Sequence, residues 1–198
     1  MAANAYLAPE ERTLLESVRV GIAGAGGLGS NCAMHLVRSG VKHITIADFD
    51  VVNESNLNRQ FFFHDQIGQK KVEAVKENLL RIEPDADIHA VDIRLDASSA
   101  REIFADCGIV VEAFDAVDAK VMLVSAFASS GKKLVTASGL AGWGRSNAMK
   151  VRKMGNIVAI GDGETSVGDG AAPVSPRVGI AAAMEANAVV SLLLGCEP

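Results

Sequence analysis

A short apolar segment, Val20-Gly21-Ile22-Ala23, runs straight into Gly24-Ala25-Gly26-Gly27-Leu28-Gly29-Ser30, and a helical pattern continues to Val37. This junction restricts the possible folds more than any other feature of the chain. Glycines at Gly24, Gly26 and Gly29 permit a tight turn between a strand over 19–23 and the helix. Such a turn lets bare backbone approach a phosphate, which the unsatisfied N–H groups of the helix start attract. Residues 43–47 then read as a second strand closing on Asp48. Together these make a β-α-β unit of about thirty residues, a crossover that is nearly always right-handed with parallel strands. Asp48 stands where a carboxylate can accept the hydroxyls of a ribose.

The alternation continues. An amphipathic helix over 70–82 places Val72, Val75, Leu79 and Ile82 on one face before Pro84 stops it. Residues 88–95 read as a strand, Asp96 caps a helix running to Ala105, and 108–113 is a strongly apolar strand. A helix over 117–130 and a strand over 133–138 complete an α/β, Rossmann-like, doubly wound core at 18–138. Beyond Gly144, 147–153 and 157–160 form a hairpin around Gly155-Asn156 that extends the sheet antiparallel. The stretch 161–176, rich in Gly, Pro and Ser, reads as a long surface loop of the kind that is functional or mobile. A closing apolar helix over 178–194 is expected to be buried, against the sheet or in a subunit interface. Residues 1–198 are expected to form one domain, with the hairpin, loop and helix at 145–195.

Composition excludes several classes. The net charge of −5 and the lack of a basic run argue against nucleic-acid binding. No uncharged stretch is long enough for a bilayer, and the start, with Glu10, Glu11 and Arg12, does not read as a signal peptide. A cytoplasmic protein without membrane contact is the expectation. Cys32, Cys107 and Cys196 form no C-x-x-C pair, so neither a disulfide framework nor zinc is expected, and each reads as a small buried hydrophobe.

The glycine turn and Asp48 alone would suit a nicotinamide dinucleotide. The residues after them do not: Asp48-Phe49-Asp50 leads to Asn53, Ser55-Asn56-Leu57-Asn58-Arg59-Gln60, then Gly68-Gln69-Lys70-Lys71-Val72. Hydride transfer has no use for amides and cations clustered behind the ribose acid, whereas phosphate chemistry does. These elements, in order and at this spacing, resemble the ThiF/MoeB family of sulfur-carrier adenylyltransferases, bacterial relatives of the ubiquitin-activating enzymes. The resemblance continues through Val111-Glu112-Ala113-Phe114-Asp115 and 173–195, and is greatest to the short, zinc-free ThiF type of thiamine biosynthesis.

The resemblance implies ATP and magnesium as the reaction's requirements, and a small ubiquitin-like carrier ending in Gly-Gly as partner. Gly24, Gly26, Gly27 and Gly29 would cradle the nucleotide, with Asp48 on its ribose. Asn56 and Arg59 would stand beside the triphosphate, and Lys71, with Lys70 the weaker candidate, would bind phosphate. Asp115 would hold magnesium. A homodimer is implied as well. No cysteine lies between Cys107 and Cys196, so adenylation without a persulfide step is expected.

Each residue has a plainer reading. Arg59 and Lys71 could be a solvated pair, and Asp115 could cap the next helix. Asp118 and Lys120 are expected on that helix's surface. Phe61-Phe62-Phe63 is expected to pack beneath the nucleotide in preference to forming a partner patch, and His64 to be structural or exposed. Trp143 suits either a channel for a carrier tail or simple packing. Competing functions are an NAD-dependent oxidoreductase, a nucleotide-sensing module, and activation of another carboxylate, as in molybdopterin carriers or dehydratases acting on modified tRNA.

Overall fold

The computed structural model describes residues 6–166 and 170–198. Its strands are β1 (Arg19–Ala23), β2 (His43–Asp48), β3 (Asp87–Asp92), β4 (Ile109–Glu112), β5 (Lys133–Ala137), β6 (Lys150–Met154) and β7 (Ile157–Gly161). Its helices are α1 (Pro9–Ser17), α2 (Gly27–Arg38), α3 (Lys71–Leu80), α4 (Ala97–Ile103), α5 (Val117–Phe127) and α6 (Ser175–Leu193). The strands make one seven-stranded sheet in the order β3-β2-β1-β4-β5-β7-β6. Every neighbouring pair is parallel except β6 with β7. The expected antiparallel extension is therefore β6 alone, because β7 continues the parallel run beside β5.

Side chains alternate across a strand, and the core divides accordingly. Val20, Ile22, Val111 and Val135 pack with Leu28, Leu36, Val75, Leu79 and Ala182 on the face carrying α2, α3 and α6. Val110 and Leu134 pack with Phe104, Leu123 and Phe127 on the face carrying α4 and α5. Burial on both faces is what makes β1 and β4 read as continuous apolar runs.

Several boundaries differ from expectation for local reasons. Helix α1 was not legible, since Leu15 is its one buried residue; it packs into the core, with α6 as a neighbour. Helix α6 starts at Ser175 because Pro176 falls in the first turn, where its missing N–H costs nothing. Lys70 is extended and precedes α3. Asp96 caps α4 as expected, accepting from the Ser98 and Ser99 N–H groups at 2.8 Å each. Part of the 161–176 loop, residues 167–169, lies outside the described residues.

The apolar helix α6 carries an unexpected acid. Glu185 is fully buried, and neither carboxylate oxygen has a hydrogen-bond partner among the described residues. Burial, reinforced by the nearby Glu112, pushes its pKa well above the usual carboxylate range, with Lys120 opposing. In the unfolded chain Glu185 loses its proton at an ordinary carboxylate pKa, whereas the folded chain retains it to higher pH. The folded state thus binds more protons in that window, and stability falls as pH rises through it. Glu185→Gln is expected to flatten this slope and to raise Tm by a few degrees at pH 8, measured by thermal unfolding across pH 5 to 8. A variant that keeps the wild-type slope would show that another group causes it.

Candidate active site

In an open parallel sheet, ligands bind beyond the carboxyl ends of the strands, where the strand order reverses. Here the reversal lies between β1 and β4, and the glycine turn and the 113–116 turn leave the sheet side by side. A Cβ on Gly24, whose φ is +104°, would lie 2.9 Å from the Ala113 carbonyl oxygen, and one on Gly29 would lie 1.9 Å from the Gly24 carbonyl oxygen. These two glycines close the turn and are buried, while Gly26 and Gly27 are the accessible pair. No side chain caps the start of α2, so its first N–H groups are directed at this opening.

A chain of polar contacts runs from the turn to Lys71. Asp48 accepts from the Ala25 N–H at 2.6 Å through Oδ2 and from the Asp50 N–H at 2.8 Å through Oδ1. Asp50 Oδ2 then receives Lys71 Nζ at 2.8 Å. The backbone secures the same arrangement, since the Lys71 N–H donates to the Asp50 carbonyl and Val52 pairs with the 68–69 segment. Lys71 is buried, with 8% of its side chain exposed, so the solvated-pair reading does not describe it. Lys70 instead turns outward to Asp92, so of the two lysines Lys71 is the one linked, through Asp50 and Asp48, to the turn.

Arg59 lies against the glycine turn: a Cβ on Gly27 would meet its Cγ at 3.5 Å and its Cδ at 3.7 Å. Its guanidinium rests on the Asn58 side-chain oxygen at 2.7 Å and the Ser55 carbonyl at 3.3 Å. Asn56 closes its own turn by accepting the Asn53 N–H at 3.0 Å, so it shapes the segment that carries Arg59. Asp115 is exposed beyond β4, with no hydrogen bond or ion pair among the described residues. It does not cap α5, whose start has no side-chain cap. It therefore offers free oxygens of the kind magnesium takes. No cluster of three or more acids, histidines or cysteines able to hold a metal occurs among the described residues. An ion here would rely on Asp115 together with phosphate and water oxygens, as magnesium commonly does.

The support beneath Asp115 was not legible in the sequence. Glu112, fully buried, accepts from Lys120 Nζ at 2.9 and 3.1 Å, and from the Phe114 N–H at 2.8 Å and the Thr136 hydroxyl at 2.5 Å. Lys120, expected on the helix surface, is thus a partner of the strand, because a buried carboxylate requires a cation and satisfied lone pairs. The signal was a lone acid ending an apolar strand. Asp118 is exposed as expected.

The other expectations divide. Phe62 packs in the core, Phe61 is half-buried and Phe63 is exposed at the surface. His64 is exposed. Trp143 is 75% exposed, which removes the simple packing reading. Cys32 and Cys107 are buried, but Cys196 is exposed, contrary to expectation, in the turn after α6. Burial raises the pKa of both interior thiols, so neither is a ready nucleophile.

A doubly wound, mostly parallel sheet with a glycine turn and a strand-end carboxylate at its switch point defines an α/β protein of the Rossmann-like class. The chain belongs to the ThiF family, whose profile matches residues 2–198. It is 38% identical over 128 residues to an adenylyltransferase and sulfurtransferase of Eremothecium gossypii, covering 64% of this chain and 29% of that one. It is 36% identical over 115 residues to the molybdopterin-synthase adenylyltransferase of Salmonella typhimurium, covering 58% and 46%. The chain spans less than half the length of the curated relatives it matches. Its fold is similar to that of the E. coli tRNA N6-threonylcarbamoyladenosine dehydratase solved with AMP, with a TM-score of 0.87 and 20% identity over 98% of this chain and 93% of that one.

Proposed function

We propose that this chain is an adenylyltransferase that uses ATP and magnesium to activate the C-terminal glycine carboxylate of a small ubiquitin-like sulfur carrier ending in Gly-Gly. The carboxylate oxygen attacks the α-phosphorus, the bond to the β-phosphate oxygen breaks, and pyrophosphate leaves with that electron pair. The supporting observation is the run of contacts from Ala25 through Asp48 and Asp50 to Lys71, with Arg59 against Gly27 and with Asp115, unpartnered among the described residues, beyond the neighbouring strand β4. In this reading Asp48 takes the ribose and Gly26 and Gly27 face the phosphates, with Asn56 shaping the segment that presents Arg59. Arg59 and Lys71 oppose the repulsion between carboxylate and triphosphate. Magnesium, when bound on Asp115, supplies further charge neutralisation between phosphate oxygens.

The similarity to curated adenylyltransferases favours this class of reaction. We infer further that the carrier is one of thiamine biosynthesis, on the resemblance of the sequence motifs to the ThiF type. We further infer a cytoplasmic homodimer. No helix among the described residues is long and apolar enough to cross a membrane. The fold shared with the tRNA dehydratase motivates a second reading, activation of a carboxylate on modified tRNA. The test is ATP–pyrophosphate exchange with a ThiS-like carrier ending in Gly-Gly, with the same carrier lacking that dipeptide, and with modified tRNA. Exchange dependent on the intact carrier is expected. Exchange supported by the tRNA alone would overturn the carrier assignment, and none with any substrate would overturn adenylation.

A further inference from the structure

The segment bearing Arg59 is fastened to the glycine-turn helix by side chains that the proposed reaction does not use. The Asn31 amide has two N–H donors, and both are engaged: Nδ2 donates to the Gly27 carbonyl at 2.7 Å and to the Arg59 carbonyl at 2.8 Å. One turn of helix is thereby tied to one residue of the loop, at the point where the Arg59 stem passes Gly27. Beside it the buried Ser30 hydroxyl donates to the Gly26 carbonyl at 2.6 Å and accepts the Phe61 N–H at 3.0 Å. Among the described residues the guanidinium itself is held only by the exposed Asn58 and Ser55, so these contacts do not fix its approach to the turn.

We infer that Asn31 is a positioning residue that sets Arg59 against the accessible glycines, with Ser30 holding the next residues of the same segment. This rests on the proposed ATP site. Asn31 lies on the helix flank, half-buried, with its donors consumed, so it acts through Arg59 and not on the nucleotide. Without it the Arg59 carbonyl loses its restraint, and the cation samples positions in which it no longer meets a phosphate, a geometric loss that reduces binding without removing any charge.

The test is a double-mutant cycle read by titration of ATP with magnesium into the full chain. Arg59→Ala is expected to weaken binding tenfold or more, and Asn31→Ala by roughly three- to tenfold, the size of one lost hydrogen bond. In the Arg59→Ala background, Asn31→Ala is expected to change the affinity less than about twofold, because the residue it positions is gone. Ser30→Ala should show the same dependence on Arg59. Alanine is a strong helix former, so α2 is retained, and thermal unfolding verifies it. A loss from Asn31→Ala that persists undiminished in the Arg59→Ala background would overturn the proposal while leaving the ATP site standing. Failure of the wild-type chain to bind ATP would overturn both.

Discussion

Asp115→Ala is expected to lower carrier-dependent ATP–pyrophosphate exchange by about a hundredfold or more, the usual cost of deleting a group that stabilises developing charge. The same substitution should leave the melting temperature within about 1 °C of wild type, since exposed residues without partners contribute little to stability. Asp115 is exposed beyond β4 and bonded to nothing among the described residues, while the strand beneath it is fixed by Glu112 and Lys120. Arg59→Ala should reduce exchange comparably. Here part of the loss should appear as weaker ATP binding, because Arg59 lies beside Gly27. Exchange within threefold of wild type for either variant would remove that residue from the reaction.

The second large effect is on stability. Arg177, at the start of α6, is buried and pairs with the buried Asp162, just beyond β7. Its other terminal nitrogen donates to the Gly144 carbonyl at 2.7 Å. Burial by itself would raise the Asp162 pKa. Bonds from the Thr165 and Glu164 N–H groups and the Thr165 hydroxyl, with the charge of Arg177, outweigh burial and hold the carboxyl below the usual range. Arg177→Met keeps the bulk but strands the carboxylate, and is expected to cost about 3–5 kcal/mol. In a chain of this size that lowers Tm by on the order of 10 °C, measurable by thermal unfolding. The stabilisation of a depressed carboxyl is complete above its ordinary pKa and is lost as pH falls through the folded value. The gap between wild type and Arg177→Met should therefore narrow in acid. The double variant Arg177→Met with Asp162→Asn should recover much of the loss. A cost under about 1 kcal/mol at neutral pH would mean that water solvates this pair.

That ion pair illustrates what the sequence could not convey. Asp162 falls in the stretch that reads as loop and Arg177 just after it, before the expected helix, and nothing in their spacing announces that they meet. Glu112 and Lys120 are similar: the carboxylate interrupts an apolar strand and the lysine reads as a helix-surface residue, until α5 folds back over β4. Helix α1 was not legible because its one buried residue, Leu15, packs into a core built from elements distant in sequence, α6 among its neighbours. By contrast, the order of strands and helices over 18–138 was legible, because period-two and period-3.6 patterns are local and the glycine turn allows few alternatives.

What the sequence determined by itself was the doubly wound fold, the glycine turn with Asp48, and the residue types suited to a phosphate site. These depend on spacing along the chain, which backbone geometry converts directly into structure. What only the tertiary structure decided was how they meet. It placed the glycine turn and Asp115 on either side of the strand-order reversal, paired Lys71 with Asp50 while turning Lys70 outward, and tied Arg59 to α2 through Asn31. The physical reason is that side-chain hydrogen bonds and buried charges are satisfied by whatever lies nearest in space, and strand order sets that proximity.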